Sequence, residues 1–123
     1  DTINIVSYYP DGKKSYEVTF VNGERTNQQI YYFPNGKISY NSEMFNGEYH
    51  GKSTEYYANG KLKTESTYYY DILNGSYTEY YENGSKKIEG FYEYGYPHGL
   101  FKFYNEKGEV TREIDLYYGE IKN

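Results

Sequence analysis

The sequence predicts an all-β protein: an elongated, single-layer antiparallel meander of about five tandem β-hairpin repeats. Three observations support this fold class. Glycine and tyrosine recur at intervals of 24 residues, two glycine-marked breaks divide each unit, and the segments between breaks have the length and composition of strands. Self-similarity at a fixed period of this size is typical of repeat architectures. Residues 1–123 are therefore interpreted as one repeat array rather than as separate domains.

The 24-residue period is carried by one column of glycines and one column of tyrosines. Both columns run through five copies without an insertion or a deletion. They consist of Gly12, Gly36, Gly60, Gly84 and Gly108, and of Tyr8, Tyr32, Tyr56, Tyr80 and Tyr104. In four copies Asp or Asn precedes the glycine, a pairing that supplies the positive φ angles of a tight hairpin turn. Both columns are therefore predicted to be structural.

A second, looser break divides each unit again. In the third unit it runs from Asn46-Gly47 to Gly51, and its counterparts run from Gly23 to Asn27, from Asp71 to Gly75 and from Gly95 to Gly99. Between breaks lie segments of about 6 to 9 residues that are rich in Tyr, Phe, Thr, Ile and Val, as strands are. Because no segment sustains a 3.6-residue period, the sequence predicts about ten strands and no helix.

The spacing around each tight turn also predicts the register of the hairpins. A three-residue turn with glycine in the left-handed region sets Tyr56 opposite Leu62, whereas a two-residue turn places Tyr56 on the same face as Lys63. The first alternative pairs apolar side chains, and a one-residue slip would reverse every side chain, so the three-residue turn is favoured. This register further predicts two cross-strand ion pairs, Glu55 with Lys63 and Glu79 with Lys87.

Strand alternation then assigns the side chains to two faces. The face of the tyrosine column is predicted to hold the core, because it also receives Val6, Phe20, Ile30, Ile38, Met44, Leu62, Tyr68, Ile88, Tyr92, Val110 and Leu116. The other face carries a second aromatic row, Tyr9, Phe33, Tyr57 and Tyr81, mixed with Lys13, Lys37, Lys61, Glu65 and Glu89. Aromatic anchors within a polar rim are typical of interfaces, so this row is the candidate interaction face. Aliphatic residues are too few for a two-layer sandwich.

Composition argues against several other classes of protein. Tyr accounts for 21 of the 123 residues, whereas a disordered chain is normally poor in aromatics. No apolar run approaches the ~20 residues of a membrane-spanning helix. The chain has no Cys, which excludes disulfides and Cys-ligated metals. A net charge of −5 argues against a nucleic-acid partner and against an anionic membrane, since both attract basic surfaces.

Candidate catalytic and metal-binding groups are sparse. His50 and His98 occupy equivalent places beside a loose break, about 19 Å apart by strand spacing, so one metal ion could not join them. The column of Glu17, Glu65, Glu89 and Glu113 spaces its carboxylates about 10 Å apart, close to the separation in an inverting glycosidase. A flat sheet supplies no cleft that would raise the pKa of one carboxyl group. The sequence therefore predicts no enzyme, no cofactor and no metal site.

One repeat family matches these motifs. Units such as Asn46-Gly47-Glu48-Tyr49-His50-Gly51, followed by Tyr56-Tyr57-Ala58-Asn59-Gly60-Lys61, resemble MORN repeats, and most closely the bacterial variant form with its Tyr-Tyr-x-Asn-Gly-Lys signature. The resemblance covers essentially the whole chain, with departures at Asn27, Asp71 and Lys107. It implies an elongated array of β-hairpins with an interaction role, without specifying the partner. Proteins with such repeats are linked to scaffolding and to lipid contact, and some bacterial relatives carry an antitoxin label.

The sequence thus favours a non-enzymatic protein-interaction or scaffold module. The expected partner is a protein, which includes a second copy of the chain, while a glycan or a lipid stays open. The alternatives are a structural spacer in a surface or envelope assembly, an antitoxin-like protein, and a glycan- or lipid-binding repeat protein. Because the chain starts at Asp1 rather than Met, removal of a signal peptide is compatible with the sequence. A bacterial, exported or surface-associated location is favoured over the cytoplasm.

Overall fold

A computed structural model describes residues 1–122 of the chain. Within this range, twelve β-strands belong to one antiparallel sheet. The strands are β1 (Thr2–Tyr8), β2 (Lys14–Val21), β3 (Thr26–Tyr32), β4 (Ile38–Phe45), β5 (Glu48–Tyr56), β6 (Leu62–Tyr69), β7 (Ile72–Tyr80), β8 (Lys86–Glu93), β9 (Tyr96–Pro97), β10 (Gly99–Tyr104), β11 (Val110–Tyr117) and β12 (Glu120–Ile121).

The strands follow one another across the sheet in chain order. β9 and β10 are two segments of one strand position, because both pair with β8 and only His98 separates them. The ten predicted strands are thus present, and β12 adds a short further strand beside β11. Residues 1–122 contain no helix, so the predicted all-β, single-layer meander is confirmed. In the same range, no helix meets the length and apolarity that crossing a membrane requires.

Each tight turn closes as the glycine column predicts. Gly12, Gly36, Gly60, Gly84 and Gly108 have φ angles of 91°, 90°, 91°, 93° and 85°. In the third unit the N–H of Gly60 donates to the carbonyl of Tyr57 at 2.9 Å, and the N–H of Tyr57 donates to the carbonyl of Lys61 at 2.8 Å. Tyr56 pairs with Leu62, which confirms the three-residue turn and its apolar pair.

One extra residue interrupts the ladder directly after each tight turn. In the third hairpin Glu55 pairs with Thr64, so Lys63 is left without a directly opposite residue. Such a bulge accompanies a turn whose glycine has a positive φ angle. The two predicted cross-strand ion pairs are therefore wrong as direct partners, and Glu79 stands opposite Ile88 rather than Lys87. The Lys63 ammonium still approaches the Glu55 carboxylate to 4.0 Å across the bulge.

The bulge also changes which side chains share a face. Beyond it, Gly51 pairs with Tyr68 and Ser53 with Ser66, while Tyr56 points to the opposite side. The equivalent residues Phe20, Met44, Tyr68, Tyr92 and Leu116 therefore lie opposite the tyrosine column, and the predicted core face is wrong. Glu65 and Glu89 lie on the side of that column instead of beside the second aromatic row.

The two sides of the sheet differ in burial. Among residues 1–122, the buried side chains are Val18, Ser42, Met44, Ser53, Ser66 and Phe101, and their register places all of them on one side, the core face. The other side, the tyrosine–carboxylate face, carries Tyr8, Tyr32, Tyr56, Tyr80 and Tyr104 with Glu17, Glu65 and Glu89. Tyr32, Tyr56 and Leu62, which were expected in the core, are only partly buried.

Small residues form the floor of the core face. Ser42, Ser53 and Ser66 are direct neighbours across β4, β5 and β6. With Tyr68 and Tyr77 among its walls, a hollow of about 300 Å³ lies over Ser53 and Ser66. Small floor residues leave room for rings to lie across the sheet, where a single-layer fold has no second layer to supply cover.

Tyrosine rings supply that cover. Successive rings on the core face lie 4.7 Å apart for Tyr16 and Tyr31, 6.3 Å for Tyr31 and Tyr40, 6.4 Å for Tyr40 and Tyr49, and 5.3 Å for Tyr49 and Tyr68. Tilted and edge-on pairs at such distances add ~0.5–1.5 kcal/mol beyond the area they bury. Tyrosine suits this role, because its ring is buried while its hydroxyl stays within reach of water.

Four of the loose breaks, at residues 46–47, 70–71, 94–95 and 118–119, are two-residue turns. The first, between β2 and β3, is a four-residue turn of residues 22–25, and the pairing beyond it has no bulge. Tyr70 and Asp71 in the β6–β7 turn have φ angles of 44° and 68°, values that match a mirror-image type I turn. The breaks that have a second glycine place it further along, in the irregular part of the next strand, at Gly51, Gly75 and Gly99. Gly75 has a φ angle of 131°, and a Cβ atom there would lie 2.9 Å from Thr67 Cβ. This glycine is therefore needed for both its backbone angle and its lack of a side chain.

Asparagine links the tight turns to one another. Asn59 Oδ1 accepts the N–H of Lys61 at 2.9 Å within its own turn, and Asn59 Nδ2 donates to the carbonyl of Glu82 in the next turn at 3.2 Å. Asn35 and Asn83 make the same two contacts. Asp11, at the same position in the first turn, has only acceptor oxygens and binds only within its own turn.

Replacing Gly60 by Val is expected to lower the free energy of unfolding by more than ~1 kcal/mol, because a β-branched residue resists a φ angle near 91°. Gly60→Asn is the matched control, since Asn tolerates the left-handed region and should cost less. Chemical denaturation measures both. Equal stability of the Val variant and the wild type would contradict this assignment of the turn.

Asn59→Asp should cost ~0.5–1.5 kcal/mol, because it keeps the acceptor within the turn and removes the donor to the next one. The reciprocal variant, Asp11→Asn, should be neutral or stabilising, since it supplies the missing donor. Urea unfolding of the two variants tests the pair. Destabilisation by Asp11→Asn would argue against a link between the turns.

Candidate functional site

The predicted interaction row lies at the tight-turn end of the sheet. Tyr9, Phe33, Tyr57 and Tyr81 each follow the last residue of a strand directly, and all four are partly buried. Tyr57 follows Tyr56 and therefore lies on the opposite side from it, as strand alternation predicts, but that side is the core face, which the sequence analysis had assigned to the tyrosine column. The row combines exposed ring surface with fixed positions.

Hydroxyl groups fix three of the four rings. Tyr9 Oη donates to the carbonyl of Tyr32 at 2.5 Å, and Tyr57 Oη donates to the carbonyl of Tyr80 at 2.6 Å. Tyr81 Oη makes the equivalent bond at 2.7 Å, to the carbonyl of Tyr104. Each ring thus reaches across to the next hairpin and ties the two together. Phe33 has no hydroxyl, so the ring at that position has no such bond.

Lysine side chains lie over two of these rings. Lys63 Nζ is 5.7 Å from the centre of the Tyr57 ring, and Lys87 Nζ is 5.7 Å from the centre of the Tyr81 ring. Both distances suit a cation–π contact, worth ~0.5–1 kcal/mol at an exposed site. Both lysines are the extra residues of the bulges, so the feature that reversed the faces also places a positive charge beside this row.

The tyrosine–carboxylate face carries a second set of repeated contacts. The hydroxyls of Tyr32, Tyr80 and Tyr104 donate to the carboxylates of Glu17, Glu65 and Glu89 at 2.8, 2.7 and 2.8 Å. In the third unit Asn41 occupies the glutamate position, and no Tyr56 bond of this kind is formed there. Three of the four carboxylates noted in the sequence, Glu17, Glu65 and Glu89, are thus engaged in hydrogen bonds on an open surface.

These contacts shift the titration of both partners. The hydrogen bond from Tyr32 is the largest effect that lowers the pKa of Glu17, and the hydrogen bond from Lys86 is the largest effect that lowers the pKa of Glu89. Partial burial, followed by the hydrogen bond to Glu65, raises the pKa of Tyr80 to about 12. A low carboxyl pKa is the opposite of what a general acid needs, so these groups serve as hydrogen-bond acceptors.

The histidines bind backbone groups of the loose turns. His50 Nδ1 accepts the N–H of Tyr70 at 3.2 Å, and His98 Nδ1 accepts the N–H of Tyr118 at 3.2 Å. Asn74, one repeat after His50, accepts the N–H of Tyr94 through Oδ1 at 3.0 Å. Within residues 1–122, no three His, Asp or Glu side chains group together as metal ligands.

The sequence analysis did not identify the tyrosines of the loose turns as candidate functional residues. Tyr70, Tyr94 and Tyr118 occupy the first central position of successive loose turns, where they have positive φ angles. The signal was present in the sequence, because the three residues recur every 24 positions. This recurrence was not recognised, because the glycines of the loose breaks are less regular than those of the tight turns and do not define where each loose turn begins.

The geometry defines a class of protein: a repeat array in one open sheet, in which each hairpin binds the next through equivalent side chains. Comparison with known families matches the MORN repeat variant at residues 4–22, 49–68, 73–94 and 97–117. These matches cover more than half of the chain, which therefore belongs to that family. The suspected relationship is confirmed, with the unit between the first two matches diverging most from the pattern. A comparison with curated proteins found no match.

Membership of this family places the chain among repeat-based binding or scaffold modules. The family is generally non-enzymatic, and its repeats typically mediate contacts with proteins or with membrane lipids. The structure adds the positions of two aromatic surfaces that could make such contacts, one at each end of the hairpins.

The Tyr80–Glu65 bond predicts a stability loss at alkaline pH. The pKa of Tyr80 is raised from 10.0 to about 12 in the folded chain. The neutral Tyr80 hydroxyl therefore contributes its full stabilisation below about pH 10, and this contribution is lost as the pH rises through about 12. Tyr80→Phe should be less stable than the wild type at pH 9, and the difference should shrink across this window. Urea unfolding at several pH values measures it. A difference that does not change with pH would contradict the pKa shift.

Proposed function

We propose that this chain is a non-enzymatic protein-interaction module and that the row of Tyr9, Phe33, Tyr57 and Tyr81 is its contact surface for a partner protein. The observation that carries the proposal is that all four rings are partly exposed and that hydrogen bonds fix three of them, Tyr9, Tyr57 and Tyr81. A ring already held in one orientation loses little conformational entropy when it is bound.

Fixed spacing supports a scaffold role. Equivalent rings are separated by two strands, which corresponds to about 10 Å along the sheet. Bonds from Tyr57 and Asn59 to the next hairpin resist changes in this spacing. The row therefore offers a partner a linear series of sites at constant intervals.

The charge around the row favours protein over nucleic acid. Lys63 is accompanied by the Glu55 carboxylate 4.0 Å away, so the ring of Tyr57 lies beside charges of both signs. A mixed polar rim around aromatic anchors is common in protein interfaces. Nucleic acid would require an excess of positive charge, whereas the chain has a net charge of −5.

Phe33→Ser is the sharpest test of this proposal. Phe33 has no hydroxyl bond to the next hairpin, so its loss should reduce partner binding ~10-fold or more, as an anchor does, with a small change in melting temperature. Tyr32→Ser is the matched control on the opposite face, where it removes the bond to Glu17 and should lower melting temperature without reducing binding. Affinity capture from the native extract, followed by titration of the captured protein, measures binding.

Tyr57→Phe separates the two roles of the row. It removes the 2.6 Å bond to Tyr80 and keeps the ring, so it should cost ~0.5–1.5 kcal/mol of stability and leave binding intact. Unchanged binding by Phe33→Ser together with reduced binding by Tyr32→Ser would move the contact surface to the tyrosine–carboxylate face.

A further inference from the structure

The loose turns of the last three hairpins form an exposed aromatic edge. It consists of Tyr69, Tyr70, Tyr94, Tyr96, Tyr117 and Tyr118, which we call the tyrosine edge. Tyr94 is 68% exposed, Tyr96 57% and Tyr117 59%. Large side chains with this exposure along one edge are unusual for a surface that meets only water. The edge lies at the opposite end of the hairpins from the row that contains Phe33.

The backbone of this edge is strained. Tyr70, Tyr94 and Tyr118 have φ angles of 44°, 50° and 46°, in a region that glycine and asparagine adopt at lower cost. Asn46 occupies the same turn position in the second hairpin, with a φ angle of 50°. A bulky ring at a position where Asn is sufficient for the turn points to a role for the ring itself.

Contacts between turns make the edge continuous. The Gly95 N–H donates to the carbonyl of Leu73 at 2.8 Å, and the Gly119 N–H donates to the carbonyl of Pro97 at 2.7 Å. A Cβ atom at Gly119 would lie 3.7 Å from the ring of Tyr96, so that ring rests on the neighbouring turn. The rings of His98 and Tyr118 are in tilted contact, with 4.4 Å between their centroids. The tyrosines are thus held on one rigid strip.

The edge is acidic as well as aromatic. Its turns, residues 69–72, 93–96 and 117–120, each contain one carboxylate and no Lys or Arg. The carboxylates are Asp71, Glu93 and Glu120. At the other end of the hairpins, four of the five tight turns contain or directly precede a lysine: Lys13, Lys37, Lys61 and Lys107. The same tight turns also contain or directly precede four carboxylates, Asp11, Glu82, Glu106 and Glu109, so that end mixes both signs of charge, whereas the three loose turns carry carboxylates alone.

We propose that the tyrosine edge binds an arginine-bearing, extended segment of a partner protein. A guanidinium group can stack on a tyrosine ring while it pairs with a carboxylate, which lysine does less well. Each turn supplies both a ring and a carboxylate. Asp71 Oδ1 already accepts the N–H of Tyr49 at 2.6 Å and Glu93 Oε2 lies 3.5 Å from His98 Nε2, so an arginine would pair with the remaining oxygen of each. This surface is separate from the row of the proposed function, and either can fail without the other.

Spacing narrows the form of the partner. Successive loose turns are two strands apart, about 10 Å. A polyproline II segment rises about 3.1 Å per residue and returns to the same side every third residue, so its equivalent side chains are about 9.3 Å apart. If every third residue of such a segment were Arg, successive Arg side chains would meet successive loose turns. In a β-strand, side chains three positions apart point to opposite sides, so every second Arg would point away from the edge.

A labelled peptide of four Arg-Pro-Pro repeats tests the proposal by fluorescence anisotropy. Its comparison peptide has the same composition with the arginines contiguous, and the periodic peptide is expected to bind ~5-fold or more tightly. Tyr94→Asn with Tyr118→Asn should weaken binding of the periodic peptide by about 5-fold or more, since each lost cation–π contact weakens it about 2- to 5-fold. Asn46 shows that the turn accepts this substitution, and Phe33→Ser, the aromatic control at the other end, should leave binding within about twofold.

A charge-matched pair separates site binding from general attraction. Glu93→Gln with Glu120→Gln removes two charges from the tyrosine edge, and Glu106→Gln with Glu109→Gln removes two from a tight turn. Only the first pair should weaken the complex. Equal weakening by both pairs, or equal affinity for the two peptides, would overturn the proposal. The proposal would also be overturned if the tyrosine edge bound neither peptide and instead mediated self-association or adsorption to phosphatidylcholine vesicles.

Discussion

The one-residue bulge that follows each tight turn determines how the two faces of this sheet are used. A glycine in the left-handed region closes the turn, and the extra residue then displaces the ladder by one position on one strand only. Side chains before and after the bulge consequently alternate out of phase. Tyr56 and Leu62 stay together, yet Tyr68, six residues beyond Leu62, points to the other side. A core with serines as its floor and tyrosines as its cover follows from that displacement.

A single-layer sheet has no second layer to hold it together, so each hairpin must bind its neighbours. Three kinds of side chain do this in successive units: the tight-turn asparagine, the row tyrosine two residues before it, and the acceptor beside the loose turn. The acceptor is His50 in one unit and Asn74 in the next. Both side chains accept a backbone N–H of the loose turn, and this hydrogen bond does not require a charged acceptor. What repeats in this array is therefore a contact, and the residue type varies where the contact allows it.

The period, the tight turns and the single layer could be predicted from sequence, because each depends on backbone angles that only a few residue types adopt. The faces could not, since Lys63 looks like any strand residue until the ladder shows it to be the extra one. Orientation of the Tyr57 ring was also beyond prediction, because its hydroxyl binds a carbonyl in a hairpin 23 residues away. The loose-turn tyrosines were overlooked for a related reason: Tyr70 has a positive φ angle, which sequence analysis expects only of residues such as Gly or Asn.

The tight turns and the loose turns differ in how strongly the backbone restricts the residues they can contain. In the tight turns, Gly60 and Asn59 are determined by φ angle and hydrogen bonding, so recognition at that end depends on the aromatic row that precedes each turn and not on the turn residues themselves. Loose turns tolerate Asn46 or Tyr94 at the same position and at a similar φ angle. Because neighbouring strands and a side-chain acceptor hold the loose turn, the residue at its apex can vary without loss of the fold. A repeat protein can acquire specificity at positions where the fold tolerates variation, and the first central residue of the loose turn is such a position in this chain.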